Sequence, residues 1–390
     1  MAGRAAPIYL DHQATTPLDE RVLAAMLPYF GEKFGNAASR SHGFGRQAEQ
    51  AVERARAQVA ALCGARRSSE IVFTSGATES DNLALKGVAR AARERSETRD
   101  HLVTTAIEHR AVLAPLERLA RESFSVTVVP VGADGLVDPE AIGAALTDRT
   151  LCVSVMLANN EVGTVQPIER IGALCAARGV LLHCDAAQGL GHVPFDVERM
   201  QVALCSLSAH KLYGPKGVGA LYVRSARPHV RLLPELEGGG QERGLRSGTA
   251  NVPGIVGFGA ACELMQVEGR AEAERIGALR DRLVARLSAE LAGVTLLGAR
   301  APRLCGNAML AFAGVQADAL LVRLDAVALS SGSACSSASP GPSHVLRAMG
   351  LGEEVARSAV RFGLGRHTTE SEIDVVVEEV VRQVRELRAG

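Results

Sequence analysis

The sequence predicts an α/β chain: a seven-stranded, mostly parallel sheet in a large domain, followed by a smaller α+β domain. Two patterns carry this. Seven short apolar runs rich in Val, Ile, Leu and Thr recur from residue 71, and segments of helical period separate most of them. After a glycine-rich stretch at 238–248 the alternation ends and a long amphipathic stripe takes over. A length of 390 residues suits two domains and a core that needs no disulfides.

The first run, Ile71–Ser75, is followed by a helix over Thr78–Arg95. His101–Ile107 leads into a helix at Ala111–Glu122, Ser125–Val131 into one at Pro139–Leu146, and Leu151–Ala158 into one at Ile168–Arg178. Crossovers of this kind place parallel strands under helices on both faces. Val180–Asp185, Val202–Ser208 and Val218–Val223 complete the seven. Lys211–Gly217 is too short for a crossover helix, so the last strand is expected to run antiparallel.

Beyond residue 248, Ile276, Leu279, Leu283, Leu287 and Leu291 lie on one helical stripe. Short strands are expected near 294–298, 308–313 and 326–330. Thr369 and Glu372 form a capping box for a closing helix. That helix turns Ile373, Val376, Val377, Val380, Val384 and Leu387 inward. The expected division is 16–262 for the large domain, with 1–15 and 263–390 forming the small one.

Composition excludes several classes. Basic and acidic residues both number 43, so no polycation is present, and rings for stacking bases are few, with nine Phe, four Tyr and no Trp. Direct nucleic-acid binding is therefore not expected. No apolar run approaches the ~20 residues of a membrane helix, and Met1–Leu10 has no apolar signal core. The eight cysteines (63, 152, 175, 184, 205, 262, 305, 335) are scattered without a C-x-x-C. That pattern implies reduced thiols and a cytoplasmic location.

Polar clusters follow five of the strands: Ser75–Thr78, Glu108-His109, Asn159–Glu161, Asp185–Gln188 and Ser208–Lys211. The carboxyl ends of parallel strands are where α/β folds bind ligands. Only four of the 43 basic residues are lysines. Lys33, Lys86 and Lys216 read as solvated, whereas Lys211 closes a strand in small, polar company. Arginine cannot replace lysine where an amine must form an imine.

An imine-forming lysine points to pyridoxal phosphate, which needs three further partners. Asp185 is placed to keep the pyridine nitrogen protonated, and His109 to cover the ring. Gly76-Ala77-Thr78 opens a helix straight after a strand, as a phosphate site requires; Ser208 and His210 add donors. His183-Cys184-Asp185 does not make a metal site, because strand alternation turns Cys184 away from its neighbours. The nicotinamide fingerprint, the P-loop and the esterase elbow are all missing. Cys335 stands apart in Ser330-Ser-Gly-Ser-Ala-Cys-Ser-Ser-Ala-Ser-Pro. A thiol in such a run reads as exposed and reactive rather than as core.

The motifs together resemble cysteine desulfurases of the NifS/IscS kind, within the class V aminotransferases. The likeness runs from Tyr9-Leu-Asp-His-Gln-Ala-Thr-Thr-Pro17 through Phe34-Gly-Asn-Ala-Ala-Ser-Arg-Ser-His42, Thr74-Ser-Gly-Ala-Thr-Glu-Ser-Asp-Asn82 and Ser208-Ala-His-Lys-Leu-Tyr-Gly-Pro-Lys-Gly217. It continues through Gly238–Thr249 and Ser331–Ser339 to Arg361-Phe-Gly-Leu-Gly-Arg-His-Thr-Thr369. The resemblance implies a homodimer of fold-type-I subunits that binds pyridoxal 5'-phosphate in the large domain. The small domain carries the catalytic Cys335 loop, about 330–342.

In that likeness Lys211 forms the imine, Asp185 meets the pyridine nitrogen, Gln188 the ring hydroxyl, and His109 stacks on the ring. Ala77, Thr78, Ser208 and His210 hold the phosphate, with Thr249 supplied by the partner subunit. Asn160 also borders the cofactor, and with Arg361 and Asn36 it matches positions on the side of the L-cysteine substrate. Cys335 matches the persulfide-forming cysteine, and in some members it also ligates a scaffold-bound iron–sulfur cluster. The chain stops at Gly390, where IscS-type members continue with a scaffold-docking tail, so the sulfur acceptor is left open. A selenocysteine lyase, an aminotransferase, or a non-catalytic sulfur-carrier docking protein are the alternatives on this scaffold.

Overall fold

A computed structural model describes residues 7–227, 229–331 and 343–389; Cys335 and its loop lie outside the described residues. The chain enters through β1 (Ile8–Tyr9), α1 (Glu20–Met26) and α2 (Gly43–Cys63). The sequence reading places no helix before residue 71. Yet Ala48, Val52, Ala55, Val59 and Cys63 make a buried stripe along α2, which ends at Gly64 in the left-handed region.

The large sheet then builds as read: β2 (Ile71–Thr74), α3 (Ala77–Glu94), β3 (His101–Thr105), α4 (Arg110–Arg121), β4 (Ser125–Val129), α5 (Pro139–Ala145), β5 (Thr150–Met156), α6 (Ile168–Ala177), β6 (Leu181–Asp185), β7 (Leu204–Ser208) and β8 (Gly219–Val223). Their spatial order is β2-β8-β7-β6-β5-β3-β4. The pairs from β7 to β4 are parallel, and β8 is antiparallel to both β7 and β2. That arrangement makes β2 run with the parallel set, so its carboxyl end opens on the same edge as theirs. The order of strand addition reverses at β3, with β4 on one side and β5 on the other, the kind of switch point that leaves a crevice.

Alternation along the strands divides the core. Leu181 and Cys152 face α3 and α4, while Leu182, Cys184 and Val153 face the layer formed by α2, α6 and the next helix. That helix, α7 (Val252–Glu290), is 39 residues long, and the expected boundary at 262/263 falls inside it.

Next come β9 (Val294–Leu296), β10 (Asn307–Phe312), α8 (Ala317–Arg323), β11 (Val327–Ala328), β12 (Ser330–Ser331), α9 (His344–Ala348), α10 (Glu353–Arg357), β13 (Ala359–Gly363) and α11 (Glu370–Ala389). A four-stranded sheet has the order β12-β13-β10-β9, and β1 pairs with β11. The sequence reading places no strand at β13, because Arg361 interrupts a run of only five residues. Val360 and Phe362 nevertheless enter the second core with Ile276, Leu283 and Val376, which turns Arg361 to the opposite face. The α11 cap is present: Thr369 N–H donates to Glu372 Oε2 at 2.8 Å, and Glu372 N–H to Thr369 Oγ1 at 3.2 Å. Among the described residues, no helix is long and apolar enough to cross a membrane.

Candidate active site

The carboxyl ends of β2, β5, β6 and β7 surround a cavity of about 640 Å³. Its floor at one end is the start of α3. Gly76 bends there at φ +155°, ψ 178°, a region open to glycine, and Ala77 is the first helical residue. First-turn N–H groups have no intrahelical partner, and they open on the cavity through Ala77 and Thr78. Glu79 fixes this turn by accepting from Ser75 N–H at 2.7 Å and from Arg246 Nε at 2.8 Å. Gly219 on β8 passes so close that a Cβ would sit 2.6 Å from Gly76 Cα and 2.4 Å from Leu207 O.

β6 ends in Asp185, whose Oδ1 accepts Ala187 N–H at 3.0 Å. Burial pushes this carboxyl up from its ordinary value, against the opposing pull of the Ala187 N–H and of His109 and Lys211. β7 ends in Ser208 and passes into a short turn with His210 and Lys211. Lys211 Nζ donates to the carbonyls of Ala14, at 2.8 Å, and Gln13. Gln188 Nε2 donates to the same Gln13 carbonyl at 2.8 Å. His210 Nδ1 meets Thr15 Oγ1 at 3.0 Å, and its imidazole is pushed down to about 4 by burial, with Lys211 and Lys216 adding to the effect.

His109 caps α4, with Nδ1 accepting Ala111 N–H at 3.1 Å. Burial lowers its pKa, so the ring is neutral near pH 7. Asn159 shapes the turn after β5: its Oδ1 accepts from the N–H groups of Glu161 and Val162, at 2.9 and 3.0 Å. That turn presents Asn160 to the cavity.

The structure therefore brings Ala77, Thr78, His109, Asn160, Asp185, Gln188, Ser208, His210 and Lys211 to one wall. Arg361 does not line the cavity itself. It sits just behind, 1% exposed, donating to the Asn160 carbonyl at 2.8 Å and to Asp11 Oδ1 at 2.7 Å, with its Nε buried and unpartnered. Thr249 and Asn36 are exposed and do not line it; Asn36 Oδ1 caps its own loop at Ala38 N–H, 2.9 Å. Lys216 is exposed, as read, and also lines the cavity. Lys86 pairs with Glu235 at 3.5 Å and Lys33 lies 5.7 Å from the Tyr29 ring centroid. Among the described residues no cluster of His, Cys, Asp and Glu suits a metal ion.

Two contributions are missed by the sequence reading. Gln13, Ala14 and Thr15 come from the amino-terminal segment, whose approach is purely tertiary and leaves no local signal. Asp81 also lines the cavity, and it does leave one. It lies on the same helical stripe as Leu85, Val88 and Ala92, all buried, so an acid stands where the pattern calls for an apolar residue.

A crossover sheet with an amine, a buried carboxyl and a helix start gathered at its carboxyl edge defines a class of enzyme rather than a packing motif. The chain belongs to the aminotransferase class-V family, whose model matches residues 8–376. It is 58% identical over 382 residues to a cysteine desulfurase IscS of Anaeromyxobacter sp. (strain Fw109-5), covering 98% of this chain and 93% of that one. Among solved structures it is similar to a NifS-like protein, with TM-score 0.89, 38% identity and coverage of 97% and 100% of the two chains. It also matches SspA in complex with cysteine, with TM-score 0.82, 37% identity and coverage of 93% and 100%. The architecture is accordingly fold type I.

Proposed function

We propose that the chain is a cysteine desulfurase: with pyridoxal 5'-phosphate it takes sulfur from L-cysteine, releases L-alanine and holds the sulfur as a persulfide on Cys335. The meeting of Lys211, Asp185 and the α3 start in one cavity carries this reading, and the names of the relatives agree with it.

The residues fit the coenzyme. The free first-turn N–H groups at Ala77 and Thr78, with Ser208 and His210, suit a phosphate. Asp185 stands across the cavity for the pyridine nitrogen, Gln188 for the ring hydroxyl and His109 for the ring face. When bound, the coenzyme supplies an electron sink for the carbon beside the substrate amine.

The chain's own groups do the rest. Lys211, whose Nζ donates to the Gln13 and Ala14 carbonyls, would hold the coenzyme covalently, and once the substrate amine displaces it the freed amine would be the base for the substrate Cα proton. Asn160, on the cavity wall, and Arg361, directly behind it, are the groups for the substrate carboxylate. Neutral His109 has Nδ1 engaged by the helix and Nε2 left for proton exchange. Cys335, as thiolate, attacks the substrate sulfur. The S–S bond forms as the C–S bond breaks, and the C–S electron pair passes back into the carbon skeleton, which takes up protons and leaves as alanine.

The working unit is a homodimer. Thr249, exposed and off its own cavity, serves the phosphate end of a second copy, and exposed Phe30, Phe34 and Phe44 offer apolar surface for the pairing. Residues 16–262 form the coenzyme-binding domain, and 1–15 with 263–390 form the smaller one. An acceptor protein takes the sulfur for iron–sulfur assembly or another thiolation.

Alanine release from L-cysteine tests the reading. Coenzyme-loaded protein with a reductant is expected to produce alanine and sulfide, and Lys211→Ala to lose at least ~10²-fold. If Cys335→Ala turned over at the wild-type rate, the persulfide route would be wrong.

A further inference from the structure

Beneath Asp185 lies a buried polar group that the reaction above does not use. Asp81, in the second turn of α3, is fully buried, and neither carboxyl oxygen has a hydrogen-bond partner. Facing it are His183, with Nε2 3.5 Å from Oδ1, and the Ser206 hydroxyl. His183 is itself held between Ser154 Oγ at 2.8 Å and Ser206 Oγ at 3.0 Å. Strand geometry assembles this group. His183 and Asp185 point the same way from β6, Ser154 is in register with His183, and Ser206 with Asp185. A third carboxyl, Glu108, is fully buried nearby, with Oε1 accepting from Thr105 Oγ1 at 2.6 Å and Met156 N–H at 3.0 Å.

Three carboxyls therefore lie close together, and among the described residues no lysine or arginine pairs with Asp81. His183 is neutral, pushed down to about 3 by burial. The positive end of α3 acts on its first turn, where Glu79 already sits. Lys211 and His109 act on Asp185 instead. A buried carboxylate with no partner costs several kcal/mol, and adjacent carboxyls do not all ionise. Burial, reinforced by Asp185 and Glu108 against the opposing pull of the Ser206 hydroxyl, accordingly raises the Asp81 carboxyl well above its ordinary range.

We propose that Asp81 is a positioning residue that stays protonated behind Asp185, so that the wall presents one negative charge, at Asp185, to one ring cation. A second charge there would penalise the coenzyme-free protein, and an apolar residue would leave His183 and Ser206 facing a void. The inference rests on the coenzyme assignment above, but its first test does not.

Infrared difference spectra of wild type against Asp81→Asn, recorded at neutral pH with and without coenzyme, read the proton directly. The expected result is loss of a neutral carboxylic-acid carbonyl band in both states. Loss of carboxylate bands instead would overturn the proposal. Coenzyme titration, followed by absorbance, reads the positioning role. Asp81→Ala is expected to weaken binding about tenfold and Asp81→Asn to recover most of that; Asn no better than Ala would mean that a charge had been lost. Should Asp81→Asn not fold, aspartate carboxyl-labelled wild type replaces it. One buried resonance must then keep the neutral-acid shift at neutral pH and respond to His183→Gln; finding every aspartate ionised would overturn the idea. Failure of coenzyme binding altogether would sink the functional assignment while leaving the infrared result intact.

Discussion

Arg361 Nη1 donates to the main-chain carbonyl of Asn160 across 2.8 Å, joining the four-stranded sheet to the carboxyl edge of the seven-stranded one. The same guanidinium holds Asp11 at 2.7 Å, so three distant stretches of sequence converge on one side chain. A residue so placed is rigid, and its position relative to the cavity is set by both sheets.

Replacing Arg361 with Lys keeps a charge but loses the planar fork. The kcat/KM for L-cysteine is expected to fall about 10- to 100-fold, through KM more than kcat. Coenzyme absorbance should be unchanged, which separates substrate binding from coenzyme binding. An unchanged KM would remove Arg361 from the substrate site.

Glu108 predicts a pH dependence of stability. Burial pushes its carboxyl from an ordinary 4.5 up to about 8. In the folded state it therefore keeps a proton that the unfolded chain releases, and stability from this group falls as pH rises from about 5 to about 8. The slope is about 1.4 kcal/mol per pH unit over that window. Glu108→Gln keeps the two acceptor contacts at Oε1 and should reduce the slope by about that amount, leaving the share of Asp81 and Asp185, read as unfolding midpoints in urea across the range.

Gly219 sets how closely β8 approaches the helix start. Alanine there meets Leu207 O and Gly76 Cα well inside contact distance, and both are backbone atoms that cannot swing aside. A cost of about 1–3 kcal/mol is expected, together with weaker coenzyme affinity because Gly76 must shift. Thermal melts and absorbance titration on Gly219→Ala read the two effects.

Arg56 and Glu242 anchor the glycine-rich loop. The pair is 7% and 11% exposed, with contacts of 2.6 and 2.8 Å, and Glu242 also accepts Phe73 N–H at 2.9 Å. Glu242 and Arg243 adopt positive φ, a strain that the anchor holds in place. Arg56→Ala is expected to cost about 3 kcal/mol in urea unfolding, and the double variant with Glu242→Ala less than the sum of the singles.

The parallel sheet was legible because its strands are apolar runs separated by helical periods, and the short Lys211–Gly217 link disclosed the antiparallel strand. Lys211 and Asp185 were legible because each ends such a run. What escaped was tertiary. β13 is a strand because β10 and β12 flank it, not because its five residues signal one. Gln13 and Ala14 reach Lys211 across almost two hundred residues of sequence. Arg361 was named only through its motif, since alternation on an unrecognised strand could not place it.

Mass spectrometry of the coenzyme-loaded protein after brief exposure to L-cysteine is the most direct check. One added sulfur is expected, on Cys335 and on none of the other seven thiols. Sulfur spread over several cysteines, or absent from Cys335 while alanine is released, would contradict the account.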